Sequence, residues 1–487
     1  MQRFLKYAVF FLGVFTVTIP SPSSAKAATY IPLDDSVYSL ILRLEAEGII
    51  KSGLITTLPL SRREVVRVLR EAEKAGNKNS FLEEVIDLLR RLLRDDIVET
   101  KFIKPVDNLY TRYFYADSGI QGLYYNNDGD KFRKGSNVRL GFSSKAELGR
   151  LSFYVNPEFR YSEADDSGDK DEYAFLKTGY GVLNFAGLDL QVGKDSQWWG
   201  PGYHGALMLS NNPDPLTVIK LSNSQPALLP WIFKYLGPFR FTLIETRLEK
   251  DKNTPEPYIW GMRLNFKPIP YLEAGIQRTA VFAGKGRLND VSAILKSFGG
   301  SNEDELKGRS GVQRAGFDLK LTVPSWLQPF QLYLEAGEDG TKVLQSKWSY
   351  ITGLYLPRIL LLDRLGFRAE YSENYFVSSF ISNNRAIGHH MGVDSSDMFF
   401  ELNYHVPELN GRINVSYDIE KYSLSVDKLS GTANPTKIEA SVGLTFNLTN
   451  ALNIEGKYTF GKFKNPIYVN DSAGNINLFA LSVEYYF

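Results

Sequence analysis

Apolar and polar residues take turns along most of this chain. In "IEASVGLTFNL", Ile438, Ala440, Val442, Leu444, Phe446 and Leu448 share one face, while Glu439, Ser441, Gly443, Thr445 and Asn447 share the other. Alternate side chains of a strand face opposite sides, so a period of two predicts strands with one apolar face. The same rhythm runs through "YIWGMRLNF", "AGFDLKLTV", "FQLYLEAG" and "LNIEGKYTF", and holds from about Tyr110 to the end. Residues 28–100 follow a helical period instead. Val37, Leu40, Ile41 and Leu44 recur at helix spacing, "LSRREVVRVLREAEKAG" opens with Ser61 and Glu64 and closes with Gly76, and Ser80 with Glu83 opens a third helix. Three short helices have little core of their own, so they are expected to lean on the strands.

The connections between strands alternate in length. Short ones are "LGR" (148–150), "FAG" (185–187), "KPIP" (267–270), "PSWLQ" (324–328), "PELNG" (407–411) and "LTN" (448–450). Long ones fall near 126–135, 162–172, 194–230, 250–257, 280–312, 338–347, 374–397, 423–435 and 462–476. Nine long loops imply nine hairpins, hence about 18 strands of a barrel with short periplasmic turns and long outer loops. The expected fold is a transmembrane antiparallel β-barrel with a small N-terminal periplasmic helical subdomain. Its parts are a signal peptide at 1–27, the helical subdomain at 28–108 and the barrel at 109–487. The helices precede the first strand, which puts them on the periplasmic side, where they can cap the barrel mouth.

The chain ends and the composition agree with that fold. Arg3 and Lys6 precede an apolar run, Tyr7 to Ile19, and an Ala25-x-Ala27 site follows, as in a cleaved export signal. Residues 1–27 hold three bases and no acids, so cleavage moves the formal charge from +1 to −2. That balance gives no reason to expect nucleic acid. No cysteine is present, which removes thiol nucleophiles and cysteine metal sites. No later segment is long and apolar enough for a transmembrane helix, yet 13% of the chain is aromatic. The last strand, "LFALSVEYYF", alternates Phe479, Leu481, Val483, Tyr485 and Phe487 with a mixed face. A terminal aromatic there resembles the signal by which outer-membrane barrels engage the barrel-assembly machinery. Arg139, Arg263, Arg368, Glu370, Glu439 and Lys457 are expected on lumen faces, because Arg or Lys at mid-bilayer costs about 2–4 kcal/mol on the lipid side. They either tune a water-filled path or pair and fill the interior.

Three segments carry candidate chemistry. In "QWWGPGYHG", Gln197, Trp198, Trp199, Tyr203 and His204 surround a Gly-Pro-Gly bend. The tryptophans belong either to the aromatic girdle at the membrane surface or to a platform on which pyranose faces stack. Asn211, Asn212 and Asp214 then supply a polar fringe, or simply turn chemistry. "IGHHMGVDSSD" holds His389, His390, Asp394 and Asp397. Adjacent histidines on an extended chain point apart and no spaced third ligand is evident, so no metal and no cofactor is assigned. The acidic run "EADDSGDKDE" (163–172) suits Ca²⁺ or cation-bridged lipopolysaccharide, or plain solvated surface. No G-x-S-x-G, P-loop or H-E-x-x-H occurs, and "GKGRLND" is no usable phosphate motif, so no enzyme is expected.

"LPLSRREV" (58–65), "GKDSQWWGPGYHGALMLSNNPDP" (193–215) and "IGHHMGVDSSD" (387–397), with strands running to a terminal Phe, together resemble the Wzi-type capsule assembly proteins of the Gram-negative outer membrane. The resemblance implies an outer-membrane lectin whose partners are capsular polysaccharide or exopolysaccharide, together with outer-membrane lipid and lipopolysaccharide. With the residue chemistry above, the candidate polysaccharide contacts are Gln197, Trp198, Trp199, Tyr203, His204, Asn211, Asn212, Asp214, His389, His390 and Asp394, of which Trp198, Trp199, His389 and His390 match the family's recurrent motifs. The rival is a porin-like channel for small or sugar solutes.

Overall fold

The computed structural model describes residues 26–76, 79–98, 101–119, 123–163, 171–248, 258–282, 313–339, 347–376, 380–406, 411–422, 436–449, 451–464 and 474–487. The signal region before Lys26, the acidic run at 164–170, "GKGRLND" and most of the longest connections lie outside these residues.

Eighteen antiparallel strands close into a barrel, the first Phe102–Ala116 and the last Gly474–Tyr486; the two-residue piece Ala227–Leu228 continues one pairing. Closure pairs the two ends directly, for example Leu109 with Tyr485 and Tyr113 with Leu481. The alternation sorts side chains as the period of two requires. Val442 and Leu444 are exposed outward while Lys437, Glu439 and Ser441 on the same strand are buried in the lumen. Phe479, Leu481 and Tyr485 likewise face out. An outer face this apolar around a closed sheet is suited to hydrocarbon, because closure leaves no unpaired edge. Among the described residues no helix is long and apolar enough to cross a membrane.

Two boundaries differ from expectation. The barrel starts at Phe102 rather than 109. Proline at 105 cannot donate to the ladder, and the register slips between Lys104 and Asn108, so the first three residues pair across an irregularity that hides them from the alternation. The expected long loop at 194–230 is two connections: the strand Leu216–Asn223 intervenes and turns at 224–237, on the same side as the short turns. That turn carries the 3-10 helix Trp231–Leu236, and Trp231 and Tyr235 are among the most exposed aromatics of the chain. With Trp326 on another turn at the same end they supply the interfacial aromatics expected of the Trp198–Trp199 pair.

The helices Val37–Ala46, Arg62–Ala75 and Ser80–Leu92 form, with a short Arg94–Ile97 after them. Ser61 caps the second, accepting from the Glu64 amide at 3.3 Å; the third is capped by Asn79, not Ser80. Val37, Leu40, Ile41 and Leu44 meet Val65, Leu69, Val85 and Leu89 in one apolar cluster. This bundle leans on the short-turn end of the barrel: Lys267 and Lys320 of the wall reach Glu45 at 3.1 and 2.7 Å, and Arg358 reaches Glu47 at 3.4 Å.

Candidate functional site

The chain between the first and second helices enters the lumen. Glu273 of the wall accepts from the amides of Ile55 and Thr56 at 3.2 and 3.1 Å. Arg263, fully buried, forks onto Asp318 at 2.7 and 3.0 Å and donates to the Thr56 carbonyl at 3.1 Å. Thr57 and Leu58 then form a two-residue ribbon with Trp199 and Trp198. The lead-in from one end of the barrel therefore meets, inside it, a loop folded in from the other.

That loop, 196–215, is a plug. Trp199 is 0% exposed and packs with Leu209, Val218, Ile244, Ile259, Phe380 and Ile387. Trp198 donates its indole N–H to the Gly202 carbonyl at 3.1 Å. Backbone groups in a lumen need partners, and wall carboxylates supply them. Glu370 accepts from the amides of Tyr203 and His204 at 2.8 and 3.1 Å, and Glu335 from Leu207 at 3.2 Å. Residues 380–394 fold in beside it, with Ser210 donating to the carbonyls of Ile387 and Gly388. Two glycines permit this packing. A Cβ at Gly205 stands 2.1 Å from the His389 ring, and one at Gly388 stands 2.1 Å from the Leu207 carbonyl.

The expected site residues thus sort by burial. Trp199 presents no face to a sugar, and Trp198 is 9% exposed, so the pair forms neither a stacking platform nor a membrane girdle. Gln197 is buried, and Tyr203 lies under the Arg368 guanidinium with its hydroxyl donating to Glu401 at 3.1 Å. Asn211 and Asn212 spend their side-chain amides on the carbonyls of Asn126 and Ala386 at 2.9 and 3.0 Å. Asp394 is a half-buried turn residue at φ 52°. Asp214 stays at the rim, where it accepts from Asn383 at 2.7 Å. Around it the segments 123–134, 209–215 and 380–387 knit into a polar cap at the long-loop end. Arg385 reaches Asn127 at 3.1 Å, Lys131 reaches the Asn383 carbonyl at 3.3 Å, and Asn383 and Asn384 are exposed.

His204, His389 and His390 meet at one place. Their Nε2 atoms lie 3.5, 3.7 and 3.6 Å from the same Asp397 oxygen, Oδ2. Asp418 lies 3.7 Å from His204, and Glu420 lies 3.1 Å from His390. The Tyr125 ring stacks on His390 and the Phe399 ring on His204, each at 3.9 Å. Burial, with the neighbouring histidines and Lys437 adding to it, holds His389 well below the usual imidazole range; burial takes His390 down to about 4 against the pull of Glu420. The third imidazole comes from a loop far away in sequence, so the three rings meet although the local spacing does not announce it. Lys437 meets Asp418 at 3.3 Å and also contacts Glu420.

Below the plug, between the lead-in and the 123–128 segment, a lumenal cavity of about 350 Å³ is lined by Asp34, Arg112, Tyr124, Asn156, Lys177 and Glu484 among others. Asp34 pairs with Arg112 at 2.8 Å. The other lumen charges expected from sequence are similarly engaged: Arg139 pairs with Asp130 at 3.0 Å, Glu370 holds the plug, and Glu439 lies 3.5 Å from Lys437. Lys457 lines the cavity.

A family model described as capsule assembly protein Wzi matches residues 117–478. The chain belongs to that family. A protein of Klebsiella pneumoniae, called an uncharacterized 55.8 kDa protein in the cps region, is 27% identical over 338 residues, covering 68% of this chain and 62% of that protein. The chain thus spans under two thirds of that relative's length. Among solved structures, Escherichia coli Wzi matches with a TM-score of 0.72 at 17% identity, over 94% of this chain and 100% of that one. It is described as an outer-membrane protein involved in group 1 capsule assembly and as a carbohydrate-binding β-barrel. At that identity the likeness establishes the fold, the closed barrel read from the alternation. Pseudomonas aeruginosa OprD matches more weakly, with a TM-score of 0.45 at 12% identity over 78% of this chain and 94% of that one.

Proposed function

We propose that this family member sits in the outer membrane with its long loops outward, and there binds and organises capsular polysaccharide or exopolysaccharide without catalysing a reaction. One observation carries the reading: the lumen is occupied by the chain's own lead-in and plug, so among the described residues the polar cap is the surface at the long-loop end. Lys131, Asp214, Asn383, Asn384 and Arg385 form a surface of amides and charges at that cap. Such groups bond sugar hydroxyls individually weakly, and a repeating polymer gains by multivalency. The helices lie on the periplasmic side, lipid and lipopolysaccharide surround the apolar belt, and the terminal Phe487 strand is the element taken up by the barrel-assembly machinery. The shared Wzi family, with its link to capsule assembly, supports the substrate class.

Glycan-array binding of the detergent-purified barrel tests this. Binding to anionic or neutral surface polysaccharides is expected, weakened about tenfold or more by the combined D214A, N383A and N384A changes. Absence of binding to any polymer, or binding untouched by the triple variant, refutes the assignment to the cap.

A further inference from the structure

Beyond polysaccharide binding, we propose that His204 and His390, with Asp397 and a carboxylate of Asp418 or Glu420, form a buried site for one divalent first-row transition ion of the zinc class, which staples the plug to the barrel wall. The ligand atoms of His204, His390 and Asp397 all lie within 4.8 Å of one another, as do those of Asp397, Asp418 and Glu420. Around a tetrahedral ion with bonds of about 2.0–2.1 Å, ligand atoms stand about 3.4 Å apart. The separations of 3.5 and 3.6 Å from Asp397 Oδ2 to the two imidazole nitrogens match that edge.

Two further observations point to a cation. Both oxygens of Asp397 are buried with no hydrogen-bond partner, and Asp418 makes no hydrogen bond either, though the Lys437 ammonium stands 3.3 Å away; each residue is only 2% exposed. A buried carboxylate without donors is costly unless a charge meets it. The charge present is Lys437, which Asp418, Glu420 and Glu439 share. That one ammonium faces four carboxylates, Asp397, Asp418, Glu420 and Glu439, an excess of negative charge that a divalent ion reduces. The Tyr125 hydroxyl, 3.3 Å from His204 Nε2, gives up that contact when the nitrogen binds the ion. His389 lies beside the ligand set: its Nδ1 accepts from the Met391 amide at 3.4 Å and its Nε2 stands 3.7 Å from Asp397 Oδ2.

The ligand set decides both the ion class and the structural role. Two imidazoles with carboxylates favour zinc-like ions over Ca²⁺ or Mg²⁺, which prefer oxygen alone. His204 comes from the plug, His390 from the neighbouring infolded loop, and Asp397, Asp418 and Glu420 from two wall strands. One ion therefore ties four segments together.

The test uses the full-length barrel in detergent, stripped with chelator, reloaded with ZnCl₂ and passed through a desalting column. About one zinc per chain is expected in the wild type, falling at least about tenfold in H390A and D397N, with no retention of Ca²⁺. Cobalt provides a readout that needs no variant: Co²⁺ in the wild type should show visible absorption of a tetrahedral nitrogen–oxygen site, bleached by added zinc. Failure of the wild type to retain zinc, absence of the cobalt bands, or undiminished zinc in variants that still fold as barrels each overturns the proposal.

Discussion

Replacing Trp199 with Ala tests the plug at its centre. The indole is 0% exposed, and its neighbours come from the strand wall and both infolded loops, so few of them can collapse into the space left. A buried Trp→Ala change costs about 3–5 kcal/mol when the site relaxes only partly. The cost falls on plug docking, because the barrel strands keep their own ladder. At about 1.4 kcal/mol per tenfold, the plug should open roughly a hundredfold to a few thousandfold more often. Amide hydrogen exchange reads that directly. The Trp199 amide donates to Leu209 at 3.0 Å, the Gly200 amide to Thr56 at 2.9 Å and the Ser210 amide to Ile387 at 2.8 Å. All three should speed up together in W199A, while amides within the wall strands stay protected. If all three change by less than about tenfold, Trp199 does not hold the plug.

Two further outcomes follow from the lead-in. Replacing Asp318 with Ala strands the buried Arg263 guanidinium that anchors Thr56, and should cost about 3–5 kcal/mol in a detergent unfolding titration; a loss under about 1 kcal/mol contradicts the pairing. Asp34 should make lead-in docking acid-sensitive. Burial raises its carboxyl, but the Lys177 and Arg112 charges outweigh that and bring it from 3.8 to about 2. A depressed carboxyl stabilises the folded state above its unfolded value and loses that contribution as pH falls through the folded one. Protease sensitivity of residues 26–76 should therefore rise between about pH 4 and 2, and that rise should shrink in D34N; an unchanged profile in D34N contradicts the pairing.

The legible part of this molecule was periodic. Ile438 to Asn447 alternated because one face meets hydrocarbon and the other the lumen, and hairpin lengths alternated because the two ends of a barrel face different compartments. The turn at 224–237 was misplaced because Trp231 to Leu236 makes it as long as an outer loop, although it joins strands at the short-turn end. The lumen-facing charges of the strands were legible; the segments folded into the lumen were not. Trp198 and Trp199 looked like surface aromatics, since nothing in the local sequence says that the lead-in's Thr57 and Leu58 pair with them. The histidine cluster was half visible as His389 and His390. Its completion by His204, Asp418 and Glu420 depends on loops folding inward, a tertiary event with no signature in spacing.

Single-channel recording in planar bilayers tests most directly whether the barrel is a closed binding scaffold. With lead-in and plug in place, the purified wild type should be electrically silent across the membrane. Steady open channels from correctly folded protein would mean that the interior carries solutes, and the reading of a plugged polysaccharide-binding barrel would have to be given up.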